Sequence, residues 1–194
     1  MFIVITGLDG SGTTSIGQGL HNLDPDSYLL KTPSEEFIGR EIIDTKIREQ
    51  SKIANMLYYL SSTVYMSDYI QNNCDYQRKN VYLIRYLIDT VVSNRVAGID
   101  INMDYNIYGH QLLIPDLTIF ISLDEKIRQE RISKRGKSNL DRVLDIEENR
   151  IMFYEEFKRN LPKNTIYVSN DSENIDETTN KLYKKIKKIT INKK

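Results

Sequence analysis

The sequence is short of the features that mark a secreted or membrane-spanning chain. One cysteine, Cys74, stands among 194 residues, so no intrachain disulfide framework can form; Cys74 is expected to pack quietly, and a reducing cytoplasm is the expected setting. An excess of charge of either sign is missing too. The 27 Lys and Arg are balanced by 27 Asp and Glu, which leaves no global field to draw nucleic acid or a membrane surface. No apolar run approaches the ~18 residues that a membrane span needs, and no charged leader precedes the first apolar stretch. Four prolines and nine glycines build no linker, and no repeat or low-complexity segment divides the chain. One domain over 1–194 is therefore expected. The basic tail, "LYKKIKKITINKK" from Leu182 to Lys194, sets Leu182, Ile186 and Ile189 on one face and reads as a last amphipathic helix with solvated lysines.

What is present is an alternation. Five β-rich runs, "FIVIT" (Phe2 to Thr6), "SYLLK" (Ser27 to Lys31), "VYLIRY" (Val81 to Tyr86), "LTIFISL" (Leu117 to Leu123) and "TIYVS" (Thr165 to Ser169), are separated by helical periodicities. Ser51 is placed to cap the helix that carries Ile53, Met56, Leu57, Leu60 and Val64. Strands alternating with helices predict an α/β fold, a five-stranded parallel sheet flanked by helices. Such sheets bind ligands beyond the carboxyl ends of their strands.

The first of those ends carries "GLDGSGTTS", Gly7 to Ser15. Gly7, four residues, then Gly12, Thr13 and Thr14 fit the phosphate-binding loop except that threonine replaces its lysine. Gly7, Gly10, Ser11, Gly12, Thr13, Thr14 and Ser15 are the candidate phosphate-binding residues. The glycines let backbone N–H groups turn inward, the helix N-terminus adds its positive end, and the Thr14 hydroxyl is the candidate Mg²⁺ ligand. Loss of the lysine charge is worth roughly 3 kcal/mol, on the order of a hundredfold in rate, unless a second cation replaces it.

With this loop in place the chain resembles the thymidylate kinase family of P-loop nucleoside monophosphate kinases. The resemblance rests on "FIVITGLDGSGTTS", on "MLYYLSSTVYMSDYI" (Met56 to Ile70), on "IRYLIDTVVSNRVAG" (Ile84 to Gly98), and above all on "PDLTIFISLDEKIRQERISKRGKSNLDR" (Pro115 to Arg142). Archaeal cytidylate kinases carry a similar G-S-G-T-T loop. The resemblance implies a P-loop NTPase fold with a short lid at about 134–142, and in-line transfer of the ATP γ-phosphoryl, with Mg²⁺, to a small-molecule nucleotide. With the charges balanced, no nucleic-acid or membrane partner is expected. A homodimer through helices beside the sheet is in keeping with the family, although burial against the chain's own core would give the apolar helix from Ile53 to Ile70 the same pattern.

Residue roles follow from the resemblance. Arg85, at the end of the third strand, matches the arginine of the family's D-R-Y and would bridge acceptor phosphate and transferred phosphoryl. Asp9 is the acidic residue inside the loop. Arg131, Arg135 and Arg142 match lid positions, Arg131 for the nucleotide donor and Arg135 and Arg142 as catalytic; Arg135, Lys137 or Arg142 is expected to supply the charge that Thr13 lacks. Arg128, on the same helix face, is expected to be solvated. Tyr59 matches the aromatic that stacks on the acceptor base, and Asn94 lies in the acceptor segment.

Departures from the family cluster on the acceptor side. Ile84 stands where the family has the aspartate of D-R-Y, leaving Asp89 or Asp9 to cover. Thr63 stands for an arginine that grips the acceptor phosphate, Lys31 for another, and Ser93, Asn94 and Arg95 replace a Tyr-Gln pair. A kinase of dTMP or a related pyrimidine nucleotide is the first reading; a kinase of a nucleoside or other alcohol, and a non-catalytic nucleotide-binding protein, are the alternatives.

Overall fold

In the computed structural model, residues 1–137, 139–171 and 174–192 are described. β1 (Phe2–Gly7) leads through the glycine loop into α1 (Thr13–Leu23), then β2 (Tyr28–Lys31). A helical stretch follows: α2 (Arg40–Ile42) passes through a π turn, Ile43–Ile47, into α3 (Arg48–Gln50), and after Ser51 comes the long α4 (Lys52–Asn73). The Ser51 hydroxyl accepts the Ala54 amide at 3.1 Å, the predicted cap.

β3 (Val81–Ile84) and α5 (Leu87–Val96) precede two short strands, β4 (Asn106–Ile107) and β5 (His110–Gln111), which pair as a hairpin outside the main sheet. Then come β6 (Leu117–Ser122), α6 (Glu125–Arg135), α7 (Asn139–Leu144), α8 (Glu147–Asn160), β7 (Thr165–Ser169) and α9 (Ile175–Asn192).

Among the described residues, five strands pair in the order β2-β3-β1-β6-β7, all parallel, as the alternation predicted. Alternate side chains of β1 face opposite layers. Phe2 and Val4 pack with Leu60, Met66 and Ile70 of α4 and Leu87 and Val91 of α5. Ile3 and Ile5 pack with Ile16 and Leu20 of α1 and Leu182 and Ile186 of α9. Each of these buried apolar side chains contributes about 1.5–3 kcal/mol. The lysines of α9 at 181, 184, 185, 187 and 188 are exposed, so the tail is the amphipathic helix its spacing predicted. Cys74 lies buried and unpaired by disulfide, and burial pushes its thiol pKa up. Among the described residues no helix is long and apolar enough to cross a membrane.

The chain leaves β1 for β2 on the β3 side, and after β3 it crosses to β6 on the other side of β1, so the crossovers run in opposite directions at β1. That arrangement opens a crevice at its carboxyl end, and the glycine loop sits there.

Candidate functional site

The loop is built by close approach. A Cβ at Gly7 would collide with the Ile121 carbonyl oxygen of the neighbouring strand, and one at Gly12, where φ is 95°, would collide with the Asn170 side-chain amide. Asn170 is fully buried at the end of β7 and donates to the Ser11 carbonyl at 2.8 Å, tying the far edge of the sheet to the loop. The Ser11 amide donates to Leu8 at 3.1 Å, and the Ile16 amide closes the first helical turn on Gly12 at 3.0 Å. The amides between them are those that a helix start leaves without intrahelical partners. Thr13 is buried at 7% exposure, whereas Thr14 and Ser15 face solvent.

β3 ends at Ile84, and Arg85 leaves the sheet with φ at 65°, a left-handed conformation that a non-glycine residue adopts only when its surroundings insist. Its amide still donates to Ile5 at 2.9 Å. Its guanidinium is held by both candidate carboxylates: it pairs with Asp9, donates to Asp89 at 2.7 Å, and reaches the Gly7 carbonyl at 3.3 Å. Asp89 also accepts from the Thr6 hydroxyl at 2.8 Å and the Tyr86 amide at 3.1 Å. Burial raises the Asp89 pKa although Arg85 and these donors oppose it. Of the two carboxylates left open as substitutes at Ile84, both touch Arg85.

One cleft of about 440 Å³ joins this group to the acceptor-side residues. Tyr59, Thr90, Ser93 and Asn94 line it, as do Arg40, Asp44 and Arg48, which sequence reasoning did not single out. The last three are spaced by four residues, and the π turn, which places more residues in a turn than an α-helix does, keeps them on one side. That spacing just upstream of the Ser51 cap was the available signal. The Tyr59 hydroxyl donates to Asp44 at 2.6 Å, and the Arg40 guanidinium lies 5.9 Å from the centre of its ring. Burial, then Asp44, raise the Tyr59 pKa. Thr63 is fully buried, bonded to the Tyr59 carbonyl at 3.0 Å and to Thr90 at 3.4 Å, away from the cleft surface. Asn94 is buried and donates to the Thr90 carbonyl at 2.7 Å. Arg95 points the other way, to Glu156 of α8 at 2.7 Å.

The arginines of α6, placed at or beside the expected lid, make different contacts. Arg128 corrects the expectation of a solvated face: it is 1% exposed and grips Glu125 at 2.7 and 2.8 Å, the Asp9 carbonyl at 3.3 Å and the Leu144 carbonyl at 3.2 Å. A guanidinium reads as surface by type, but five donors in one plane let it satisfy a buried junction. Arg131 donates to the Asn170 carbonyl at 3.0 Å, and its Nη1 stands 3.5 Å from where a Gly12 Cβ would be. Arg135 pairs with the buried Asp141 at 2.7 Å and Lys137 with Asp145 at 2.7 Å, while Arg142 is exposed. Within the predicted lid Ser138 lies outside the described residues. Among the described residues, no three His, Cys, Asp or Glu side chains form a metal cage. Mg²⁺ commonly keeps several waters and takes one or two protein oxygens beside substrate phosphates, and the solvent-facing Thr14 hydroxyl suits that use.

A parallel sheet with a glycine phosphate loop at its switch point, and an arginine-bearing helix, α6, packed beside that loop, defines a P-loop NTPase of the nucleotide kinase type. A family model described as thymidylate kinase matches residues 5–182. The chain belongs to the thymidylate kinase family, and so to the phosphotransferases. It is 31% identical over 160 residues to the thymidylate kinase of Acholeplasma laidlawii, covering 76% of this chain and 77% of that protein. Against the thymidylate kinase of Mycoplasma capricolum subsp. capricolum it is 28% identical over 203 residues, 95% of this chain and 93% of the other. Two solved structures share the fold. Thymidylate kinase from Candida albicans has a TM-score of 0.70 at 22% identity, covering 97% of this chain and 92% of its own. Deoxyadenosine kinase from M. mycoides with bound dATP has a TM-score of 0.67 at 21% identity, covering 96% and 100%.

Proposed function

We propose that this protein transfers the γ-phosphoryl of ATP to the 5′-phosphate of a nucleoside monophosphate, dTMP or a related pyrimidine nucleotide. The observation that carries the reading is one cleft whose lining joins Gly7, Leu8 and Asp9 of the phosphate loop to Arg85, Tyr59 and Arg40. Donor phosphates on the loop and an acceptor in the cleft would meet over Arg85.

The chemistry is mainly positioning and charge neutralisation. Loop amides from Gly12 to Ser15 hold the donor phosphates, with the α1 N-terminus behind them. Arg131, docked on Asn170 beside Gly12, brings a cation to the loop where Thr13 supplies none. Bound Mg²⁺, with Thr14 as its protein oxygen, would draw off charge from the donor phosphates. Arg85, kept cationic by Asp9 and Asp89, is aimed by its fixed backbone and has one face toward the cleft. Tyr59 and Asn94 bound the acceptor's base.

An ADP-release assay with Mg·ATP against nucleoside monophosphates, nucleosides and water tests this. Wild type should turn over fastest with dTMP or a neighbouring nucleotide, and Arg85→Ala should lower kcat on the order of a hundredfold or more, the loss of one transition-state donor. Turnover insensitive to every nucleotide would refute the proposal. A second reading, a nucleoside acceptor, draws on the burial of Thr63 and the sharing of Arg85 between two carboxylates, which leave less positive charge for a phosphate; the nucleoside arm of the assay decides it.

A further inference from the structure

We propose that Arg128, which does not line the cleft, is a positioning residue: it joins the tip of the phosphate loop to the end of α7 through two backbone carbonyls and thereby keeps Asp9 aimed at Arg85. The inference rests on the phosphoryl-transfer reading for what Arg85 acts on, and it adds a residue to that machinery.

Arg128 sits under the loop. It is 1% exposed on α6, and a Cβ at Gly10 would stand 3.0 Å from its Cγ. Its guanidinium meets three segments. Nε and Nη2 donate to the Glu125 carboxylate at 2.7 and 2.8 Å, Nη1 donates to the Asp9 carbonyl at 3.3 Å, and Nη2 also donates to the Leu144 carbonyl at 3.2 Å. A buried ion pair is by itself a weak reason to keep a charge here, because apolar side chains of similar volume often stabilise a fold as well or better. No apolar side chain, however, can hold two carbonyls at a set separation, which a rigid planar fork does.

The contacts do not depend on Arg128 equally. Without it, Glu125 still accepts from Gln129 at 2.8 Å, and the Leu144 carbonyl from Arg150 at 2.8 Å. α7 stays docked on α6 through Arg135 and Asp141 at 2.7 Å. The Asp9 carbonyl is different: among the described residues Arg128 is its one donor. Leu8 and Leu144 already pack in one buried cluster, so what Arg128 sets is not whether the loop and α7 touch but how the Asp9 peptide is turned between them.

That turn reaches the reacting arginine. Asp9 pairs with Nη2 of Arg85, whereas Asp89 and the Gly7 carbonyl both engage Nη1. Asp9 is therefore the partner that stops the Arg85 fork from pivoting about its Nη1 end. A cation meant for the transferred phosphoryl loses most of its value when it is displaced, on the order of a hundredfold in rate for about 1 Å. Letting the Asp9 peptide go should cost less, since Asp89 stays in place.

Steady-state kinetics with Mg·ATP and the best acceptor from the panel above test this. Arg128→Met, which keeps most of the stem's volume, should lower kcat on the order of tenfold and leave the KM values for ATP and acceptor within about threefold. Arg128→Lys, with a point charge in place of the fork, should lie between. Because the effect passes through Asp9, it should shrink to within about twofold in an Asp9→Ala background. An equal loss in both backgrounds would mean that Arg128 only supports the fold, and the proposal falls. The second measurement needs no turnover: nitrogen NMR of the arginine side chains should show restricted rotation of the Arg85 guanidinium in wild type and faster rotation in Arg128→Met and in Asp9→Ala. Unchanged rotation in Arg128→Met likewise overturns the proposal. If Arg128→Met does not fold, Arg128→Lys carries both measurements. If wild type turns over no acceptor, the kinase reading falls on its own, and the NMR comparison still decides whether Arg128 fixes Arg85.

Discussion

At the scale of residues, the sharpest question is how a phosphate loop works with Thr13 where its lysine belongs. The lid holds the cations that could answer, and their distances rank them. Arg135 and Lys137 are drawn to Asp141 and Asp145, each at 2.7 Å, whereas Arg131 stands against the loop itself. Arg131→Ala should therefore raise the KM for ATP and lower kcat together, on the order of a hundredfold in kcat/KM, with Arg135→Ala and Arg142→Ala costing less. Equal losses in all three variants would show that the lid acts as one body instead. Placement at this scale was readable where a residue sits in a motif, as for Gly7 and Gly12 in the loop and Arg85 at the end of β3. They were hidden where type misleads: Arg128 looks like a surface cation, and its burial follows from Glu125, Asp9 and Leu144 meeting at one point, which no local pattern encodes.

At the scale of elements, β1, β3 and β6 were legible because strands buried on both faces must be apolar throughout, and α4 because Ser51 announces its start. The β4–β5 hairpin was not, since its two-residue strands, Asn106–Ile107 and His110–Gln111, carry no periodicity. The stretch Arg40–Gln50 escaped for a related reason: it has no buried residue, so it shows no apolar stripe. The pairing of α5 with α8 makes a measurable prediction. Burial works against an ionised Glu156, but the bond and charge of Arg95, and then Arg159, outweigh it and hold the carboxyl below its usual 4.5. A depressed carboxylate pKa contributes stability above the unfolded value, and that contribution disappears as pH falls from about 4.5 through the folded pKa. Thermal unfolding of wild type and Glu156→Gln should differ at pH 7 and converge near pH 3. A gap that persists at pH 3 would mean that packing, not charge, joins the two helices.

At the scale of the whole molecule, the cleft gathers its walls from widely separated parts of the chain: the loop after β1, the ends of β2 and β3, the Arg40–Gln50 segment and α8. Asn170 fastens β7 to the same loop across the sheet. Occupying the donor site should therefore stabilise the fold as a unit. Mg·ATP at a hundred times its Kd should add about 2.7 kcal/mol, which for a chain of this size is roughly 5–10 °C in Tm. Gly12→Asp, which would strike Asn170 and set a negative charge among the loop amides, should abolish the shift. A full shift in that variant would place the nucleotide elsewhere.

The stretch from Arg40 to Gln50 stands apart from the core. It is bounded by Gly39, whose surroundings are open, and by the Ser51 cap, and it lends no side chain to the core. It is tied to α4 by polar bonds, from Asn55 to the Ile43 carbonyl and from the Tyr59 hydroxyl to Asp44, and Arg40, Asp44 and Arg48 line the cleft. A laboratory library confined to Arg40 and Arg48, which make no core contact, should change acceptor preference, read as relative kcat/KM across the nucleotide panel, while leaving the phosphate loop untouched.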